Sequence, residues 1–589
     1  MCGVAGISLR QGCKIPSESL KKFIDSLKHR GPDGNGQEIT DDIALLHTRL
    51  AIIDLEKGDQ PITNRDGVIL VANGEIYNDL ELRKEMQFSY KTGSDCESAL
   101  AAYSIYGERF SEKLRGMWGL AIFDPESKEL VVSRDPFGIK PLYYAETDIG
   151  FLFASEPRAL IQSGLVEAEL NQKARDELLT IQFTTGRETI YRGIYRIVPG
   201  EILIVRHGKI IKRTIHQALP SAPQIKIDKK DALKKLEDIL FESVALHQRS
   251  DVPYGMFLSG GIDSTALLVA MSRVSDKSVH AYTASFDSPN VYDESSNATE
   301  MAKIMGAKHE VVSVSEEDFW SMLPLVISTL DDPIIDYAVL PTFKLASVAS
   351  NEMKVILSGE GGDELFAGYG RYRKAIRPWW LGGSKAMRSN PSILQTDVLR
   401  ELPLYWRDGI KRAELNSKKD GRSALQVAQA IDCQDWLPND LLIKLDRCLM
   451  AHSVEGRTPF LDPVVASFAF SLPDNLKVRG GRGKWLLRRW LYEQVPTSSA
   501  FERKRGFTVP VGDWISKRAN VLGPLVAKQP GVCEICKPEI IPKLFEDRRP
   551  IARNASWFIL FYALWHNYHI LGLPIGENIA ESLISQKYL

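Results

Sequence analysis

Up to about residue 205 the chain is a succession of short apolar runs closed by turn residues: Ile43 to Leu46, Val68 to Ala72, Gly119 to Phe123, Leu130 to Ser133, Phe151 to Ala154 and Ile202 to Val205. Runs of this length and punctuation predict strands, and their number predicts an antiparallel, sheet-rich N-terminal domain. From Lys212 to Lys230 the sequence turns polar, carries Pro220 and Pro223 and loses strong periodicity. That predicts a linker, with a first domain over 1–210, the linker over 211–230 and a second domain over 231–589. Beyond it, helical stretches alternate with short apolar strands: Ala232 to His247, then Gly255 to Leu258, then Ser264 to Val274. Strand, tight turn and helix in that order predict a doubly wound α/β core, where ligands bind at the carboxyl ends of strands. The most apolar run, Trp557 to Trp565, is about half of a bilayer span and reads as a buried helix.

Composition narrows the function. A chain of 589 residues, 44% hydrophobic and 25% charged, is too long for one core. Its formal net charge of −1 offers no basic footprint for nucleic acid and no polybasic membrane anchor, which points to small-molecule chemistry. Seven scattered cysteines predict a reducing, cytoplasmic setting. Cys533 and Cys536 form a C-x-x-C with no second pair nearby, and read as plain thiols. The segment Met1 to Ile7 lacks the basic and long apolar regions of a signal peptide.

Candidate chemistry begins at Cys2. Removal of Met1 would put a free α-amine on the thiol's own residue. An α-amine of pKa about 7.7–8.0 can act as base for a thiol of about 8.5, so no histidine is required. Downstream follow His29-Arg30-Gly31-Pro32-Asp33-Gly34, His47 to Asp54, Asn73-Gly74-Glu75-Ile76-Tyr77-Asn78 and Gly93-Ser94-Asp95-Cys96-Glu97. Ser133 to Tyr144 and Phe153-Ala154-Ser155-Glu156 extend the set. In this order they resemble the class II glutamine amidotransferase domain, an N-terminal-nucleophile fold. The resemblance implies an αββα sandwich in which Cys2 attacks the glutamine amide and Asn73 and Gly74 form the oxyanion hole. It also implies that Arg49 grips the substrate carboxylate, Asp95 its ammonium, and Ile52, Ile53 and Glu75 complete the glutamine site. His29 and His47 lack partners at metal spacing and read as structural.

In the second domain, Leu258-Ser259-Gly260-Gly261-Ile262-Asp263-Ser264 follows a strand and opens a helix, where small residues let backbone N–H groups approach an anion. No Walker A pattern is present, and the loop is similar to the pyrophosphate loop of enzymes that cleave ATP to AMP and pyrophosphate. Leu357 to Tyr369 again follows an apolar strand, Val355 to Leu357, and packs three carboxylates and several glycines into one loop. With Glu455 to Asp462 it resembles the synthetase domain of the asparagine synthetase family, so that the match spans most of the chain. The family implies ATP held near Leu258, Ser259, Gly260, Gly261, Asp263, Ser264, Ser285, Ser358 and Gly359, and Mg²⁺ on Asp263 and Asp363. It implies Glu360 as the group that forms or consumes the acyl-adenylate, and Lys484 as the cation that meets pyrophosphate. The implied reaction is glutamine- and ATP-dependent amidation of aspartate or another acid, by a protein that the family allows to be a homodimer. Lys504 to Pro510 and Asp446-Arg447 resemble a broad branch that includes enzymes acting on sugar acids or peptides. A sensor that binds glutamine and ATP without turnover is the contrasting reading, and retention of Cys2, Asp263, Glu360, Asp363 and Lys484 opposes it.

Overall fold

The computed structural model describes residues 2–287, 294–388, 394, 397–502, 509–576 and 578–584. Twelve strands form the first domain: β1 (Gly3–Leu9), β2 (Gly34–Ile39), β3 (Ile43–Arg49), β4 (Ile62–Thr63), β5 (Ile69–Ile76) and β6 (Gly116–Asp124), then β7 (Glu129–Arg134), β8 (Tyr143–Glu146), β9 (Gly150–Ala154), β10 (Ile194–Arg196), β11 (Glu201–Arg206) and β12 (Lys209–Ile215). They make two antiparallel sheets of six, ordered β10-β8-β9-β1-β3-β2 and β12-β11-β7-β6-β5-β4.

Alternation explains why the strands are apolar throughout. Val4 of β1 and Ile43 and Leu45 of β3 meet Ile69 and Val71 of β5 between the sheets. Their neighbours Ala5, Ile7, Ala44 and Leu46 face outward with Leu20 and Phe23 of the helix Ser17–Leu27. On the other side Leu70, Ala72, Leu120 and Ile122 pack with Ala99 and Leu100 of the helix Glu97–Tyr106. Successive side chains of one strand serve two cores, and the layers are helix, sheet, sheet, helix.

The boundary drawn on the sequence is corrected: β12 runs to Ile215, into the segment read as linker, and the next helix begins at Lys229. β12 pairs with β11 at the edge of its sheet and is almost wholly exposed, so it carries no apolar alternation to be read.

The second domain is built on β13 (Tyr254–Phe257), β14 (His280–Phe286), β15 (Lys308–Val314), β16 (Val355–Leu357) and β17 (Glu455–Arg457), all parallel, in the order β15-β14-β13-β16-β17. The chain order reverses between β13 and β16, which opens a crevice beyond their carboxyl ends. Into that crevice run the two glycine-rich loops read from the sequence. The helix Pro550–His569 is buried over Ala555 to Asn567, and Trp565 packs on Tyr191 of the first domain at 5.8 Å.

Candidate active sites

Cys2 lies at the entrance to β1. Its backbone N–H donates to Asn73 Oδ1 at 3.1 Å, its carbonyl accepts from Arg30 Nε at 3.2 Å, and Sγ is 3.9 Å from the Leu50 carbonyl. β5 supplies Asn73, Gly74 and Glu75 in succession. Gly74 crosses β6 so closely that a Cβ would strike the Met117 carbonyl, so glycine is required for the pairing itself. Cys96 Sγ reaches the Gly74 carbonyl at 3.7 Å, and Asp95 Oδ2 accepts from the Ile76 N–H at 2.6 Å. Thus the 93–97 loop is held against the strand that carries Asn73 and Gly74.

Burial pushes the Cys2 thiol above its ordinary value, against the pull of the chain's amino terminus and the Leu50 contact. Burial also pushes Asp95 up to about 6, with the Ile76 hydrogen bond opposing. Arg49, at the end of β3, donates to the Asp54 carbonyl at 2.5 Å and to Asp59 at 2.9 Å, folding the loop that carries Ile52 and Ile53 beneath it. Glu75 differs from the other residues expected at a glutamine site: its carboxylate pairs with Arg457 of the second domain at 3.0 Å. His47 is fully buried and held neutral, down to about 3, while His29 bonds Glu156 at 3.0 Å.

The second site is a cleft of about 390 Å³ at the β13/β16 crevice, lined by Leu258 through Ser264, Ser358 through Glu360, Asp363 and Lys484. Ser259 donates its N–H to Ser264 Oγ at 3.1 Å, which curls the first loop over the N-terminus of the helix Ile262–Val274. Gly361 sits at φ 90°, and a Cβ there would overlap Leu461. A Cβ on Gly362 would press on Asp263, and one on Gly368 would land on Asp363 and Lys484. These glycines leave room for the carboxylates of the cleft. Ser285 is not among the lining residues; Ala284 and Phe286, its neighbours along β14, are. Period-two alternation turns Ser285 to the other face of the strand.

Lys484 Nζ bridges the two loops, pairing with Asp263 and, at 2.7 Å, with Asp363. Burial disfavours its charge, and the two carboxylates more than restore it, holding the ammonium above the ordinary lysine value. Among the described residues no group of three or more His, Cys, Asp or Glu forms a metal cage. Two hard carboxylates converging on one cationic position nevertheless fit Mg²⁺, which commonly takes one or two carboxylates and completes its shell with phosphates and water.

Glu360, in the same cleft, is 3.8 Å from Lys444, which in turn bonds Asp336 at 3.3 Å. Burial raises Glu360 above the usual carboxylate range and Lys444 opposes it. Lys444 and Asp336 are site neighbours that sequence reasoning missed; Arg457 lies in the Glu455 to Asp462 run read from the sequence, but its pairing with Glu75 was not foreseen. Their partners are distant along the chain, and the only nearby sign was the adjacent Asp446-Arg447. Residues Lys504 to Thr508 lie outside the described residues. All seven cysteines, including Cys533 and Cys536, are free.

The chain matches the family model described as asparagine synthase over residues 235–567 and that described as glutamine amidotransferase domain over residues 1–216. It is 30% identical to asparagine synthetase [glutamine-hydrolyzing] 1 of Bacillus subtilis, covering 99% of both chains. It is 31% identical to a putative asparagine synthetase of Mycobacterium bovis, over 96% of this chain and 97% of the relative. Amidase chry2 of Gibberella zeae is 26% identical over 81% and 84%. With Cys2 against Asn73 in the first domain and a carboxylate-lysine cleft at the switch point of a parallel sheet in the second, the chain belongs to the asparagine synthase family of glutamine-hydrolysing, ATP-dependent ligases.

Proposed function

We propose that the protein is an asparagine synthetase, which draws ammonia from glutamine at Cys2 and transfers it to aspartate activated by ATP. The observation that supports this reading is that one chain carries both family domains, with Cys2 against Asn73 in the first and Asp263, Asp363 and Lys484 together in one cleft of the second. Cys2 attacks the glutamine amide; Asn73 and Gly74 receive the oxyanion; ammonia leaves, and water releases glutamate from the thioester. In the cleft, the acceptor carboxylate attacks the α-phosphorus of ATP and pyrophosphate departs toward Lys484. Ammonia then displaces AMP, and Glu360 is placed to take the proton it sheds. Mg²⁺, when held by Asp263 and Asp363, would neutralise phosphate charge there. Free ammonia is mostly protonated near neutral pH, which is why its release inside the same protein matters.

Aspartate as acceptor is supported by relatives that bear the synthetase name along the whole chain. A relative of the same architecture called an amidase supports a second reading, the same chemistry on another carboxylic acid such as a sugar uronic acid or a peptide. Incubation with glutamine, ATP, Mg²⁺ and aspartate, followed by mass spectrometry of the products, separates the two. Equal amounts of asparagine and AMP are expected; glutamate without asparagine would move the search to another acid.

A further inference from the structure

The two loops expected to grip glutamine, the turn after β3 with Arg49 and the 93–97 loop with Asp95, are joined by Asp54. This residue stands at a left-handed φ of 51°, which an aspartate keeps only where its surroundings hold it. Its carbonyl accepts from Arg49 and from the Gly58 N–H at 2.9 Å, Oδ1 accepts from the Lys57 N–H at 3.1 Å, and Oδ2 accepts from the Gly93 N–H at 2.6 Å. The first contact holds the guanidinium that would meet the substrate carboxylate. The last fixes the loop just before the group that would meet its ammonium.

The remaining polar group of Asp54, its backbone N–H, donates to Asp251 Oδ2 at 2.8 Å. Asp251 belongs to the second domain, in the passage from the helix Lys229–His247 into β13. Its own N–H donates to the Ile52 carbonyl at 3.1 Å. Hydrogen bonds from one residue thus bracket Ile53 and fix the turn beneath Arg49. Neighbouring contacts act in the same direction. Arg249 donates to Asp79 at 2.9 Å; Asp79 also accepts from Arg83 at 2.7 Å, and Arg83 donates to the carbonyls of Thr92 and Ser94 at 3.1 and 2.7 Å. Lys354 donates to Asp33 at 2.8 Å, and the same carboxylate oxygen accepts from the Ala51 N–H at 2.8 Å. The side chain of Ile52 shares its core with Met256 and Leu258. Both loops therefore take their shape in part from the other domain.

We propose that Asp251 is a positioning residue for glutamine, which acts from the synthetase domain by holding Asp54 so that Arg49 and the 93–97 loop face the substrate at the right separation. The inference rests on the glutaminase reading of the first domain. It ties glutamine capture, and with it ammonia release, to docking of the domain that consumes the ammonia. A contact that merely docked the domains would change stability and leave KM for glutamine alone.

The test uses the full-length protein, with Asp251→Ala to remove the acceptor and Asp251→Asn to keep one. Amide hydrogen exchange read by mass spectrometry, without substrates, should be about fivefold or more faster over residues 50–58 in Asp251→Ala and close to wild type in Asp251→Asn. KM for glutamine should rise about tenfold in Asp251→Ala with kcat within about twofold, and should return to the wild-type value in Asp251→Asn. Ammonia-dependent synthesis should be unchanged in both. Unchanged exchange, or faster exchange with an unchanged KM, overturns the proposal and leaves the glutaminase reading standing. Absence of glutamine hydrolysis in wild type removes that reading, and the proposal with it. Loss of ammonia-dependent synthesis in Asp251→Ala overturns the proposal too, because Asp251 would then support the fold at large.

Discussion

Two buried side chains of the proposed glutaminase site can be tested separately. If Cys2 is the nucleophile, Cys2→Ala removes it and leaves the second domain's cleft untouched. Glutamine-dependent synthesis should fall to background while synthesis from added ammonium salts stays within about twofold of wild type. Loss of both in a folded variant would refute independent sites. Asp95 sets a pH limit. Burial holds it at about 6, so the free enzyme loses this carboxylate as pH falls through that value. If Asp95 receives the glutamine ammonium, KM for glutamine should rise below about pH 6, by up to tenfold per unit, with little change in kcat. Asp95→Asn should show a high KM at every pH and no such rise. A KM that stays flat in wild type would remove Asp95 from substrate binding.

Among the elements, the turn from β16 into the short helix Gly362–Leu365 bears the heaviest geometric demand. Gly361 needs a left-handed φ of 90°, and its missing Cβ makes space for Leu461. Gly361→Ala should cost roughly 1–3 kcal/mol of local strain and displace Glu360 and Asp363. Synthesis from ammonia should drop at least tenfold with glutaminase unaffected. Adding Leu461→Ala should recover part of the loss, because it relieves the overlap and not the dihedral. This loop was legible in the sequence because its function forces an unusual composition. The apolar strands β3, β5, β6, β7, β9 and β11 were legible because both faces are buried. β2 and β12 were not, since edge strands facing water follow no apolar rule. The same logic governs the site. Cys2, Asn73, Gly74, Asp263, Asp363 and Lys484 sit in local patterns that can be recognised. The pairing of Glu75 with Arg457, or of Glu360 with Lys444, joins residues far apart in the chain, and nothing local encodes it.

At the scale of the molecule, the two domains meet through buried charge as well as shared apolar cores. Arg30 makes two hydrogen bonds to Asp446, at 2.8 and 2.9 Å, and one to Glu156 at 2.8 Å. Arg447 pairs with Glu156 of the first domain at 3.7 Å, and Arg196, from β10, pairs with Asp332 at 2.6 Å. Such pairs roughly balance desolvation against attraction, but removing one partner strands the other, at a cost of about 3–5 kcal/mol. Arg30→Met should therefore lower the thermal midpoint by several degrees, and because the cores are shared both activities should disappear in one transition. Arg30→Met/Asp446→Leu should regain much of the loss, giving a coupling that a double-mutant cycle reads directly. The pH dependence has a definite sign. Although burial works against it, Arg30 holds Asp446 below its ordinary value, so this pair stabilises the fold at neutral pH and loses that contribution as pH falls below about 4. In Arg30→Met that acid-side loss should shrink or reverse, since a stranded buried carboxylate is relieved by protonation. Separate unfolding of the two domains in wild type, or single and double variants whose effects simply add, would mean that the seam is not held by these charges.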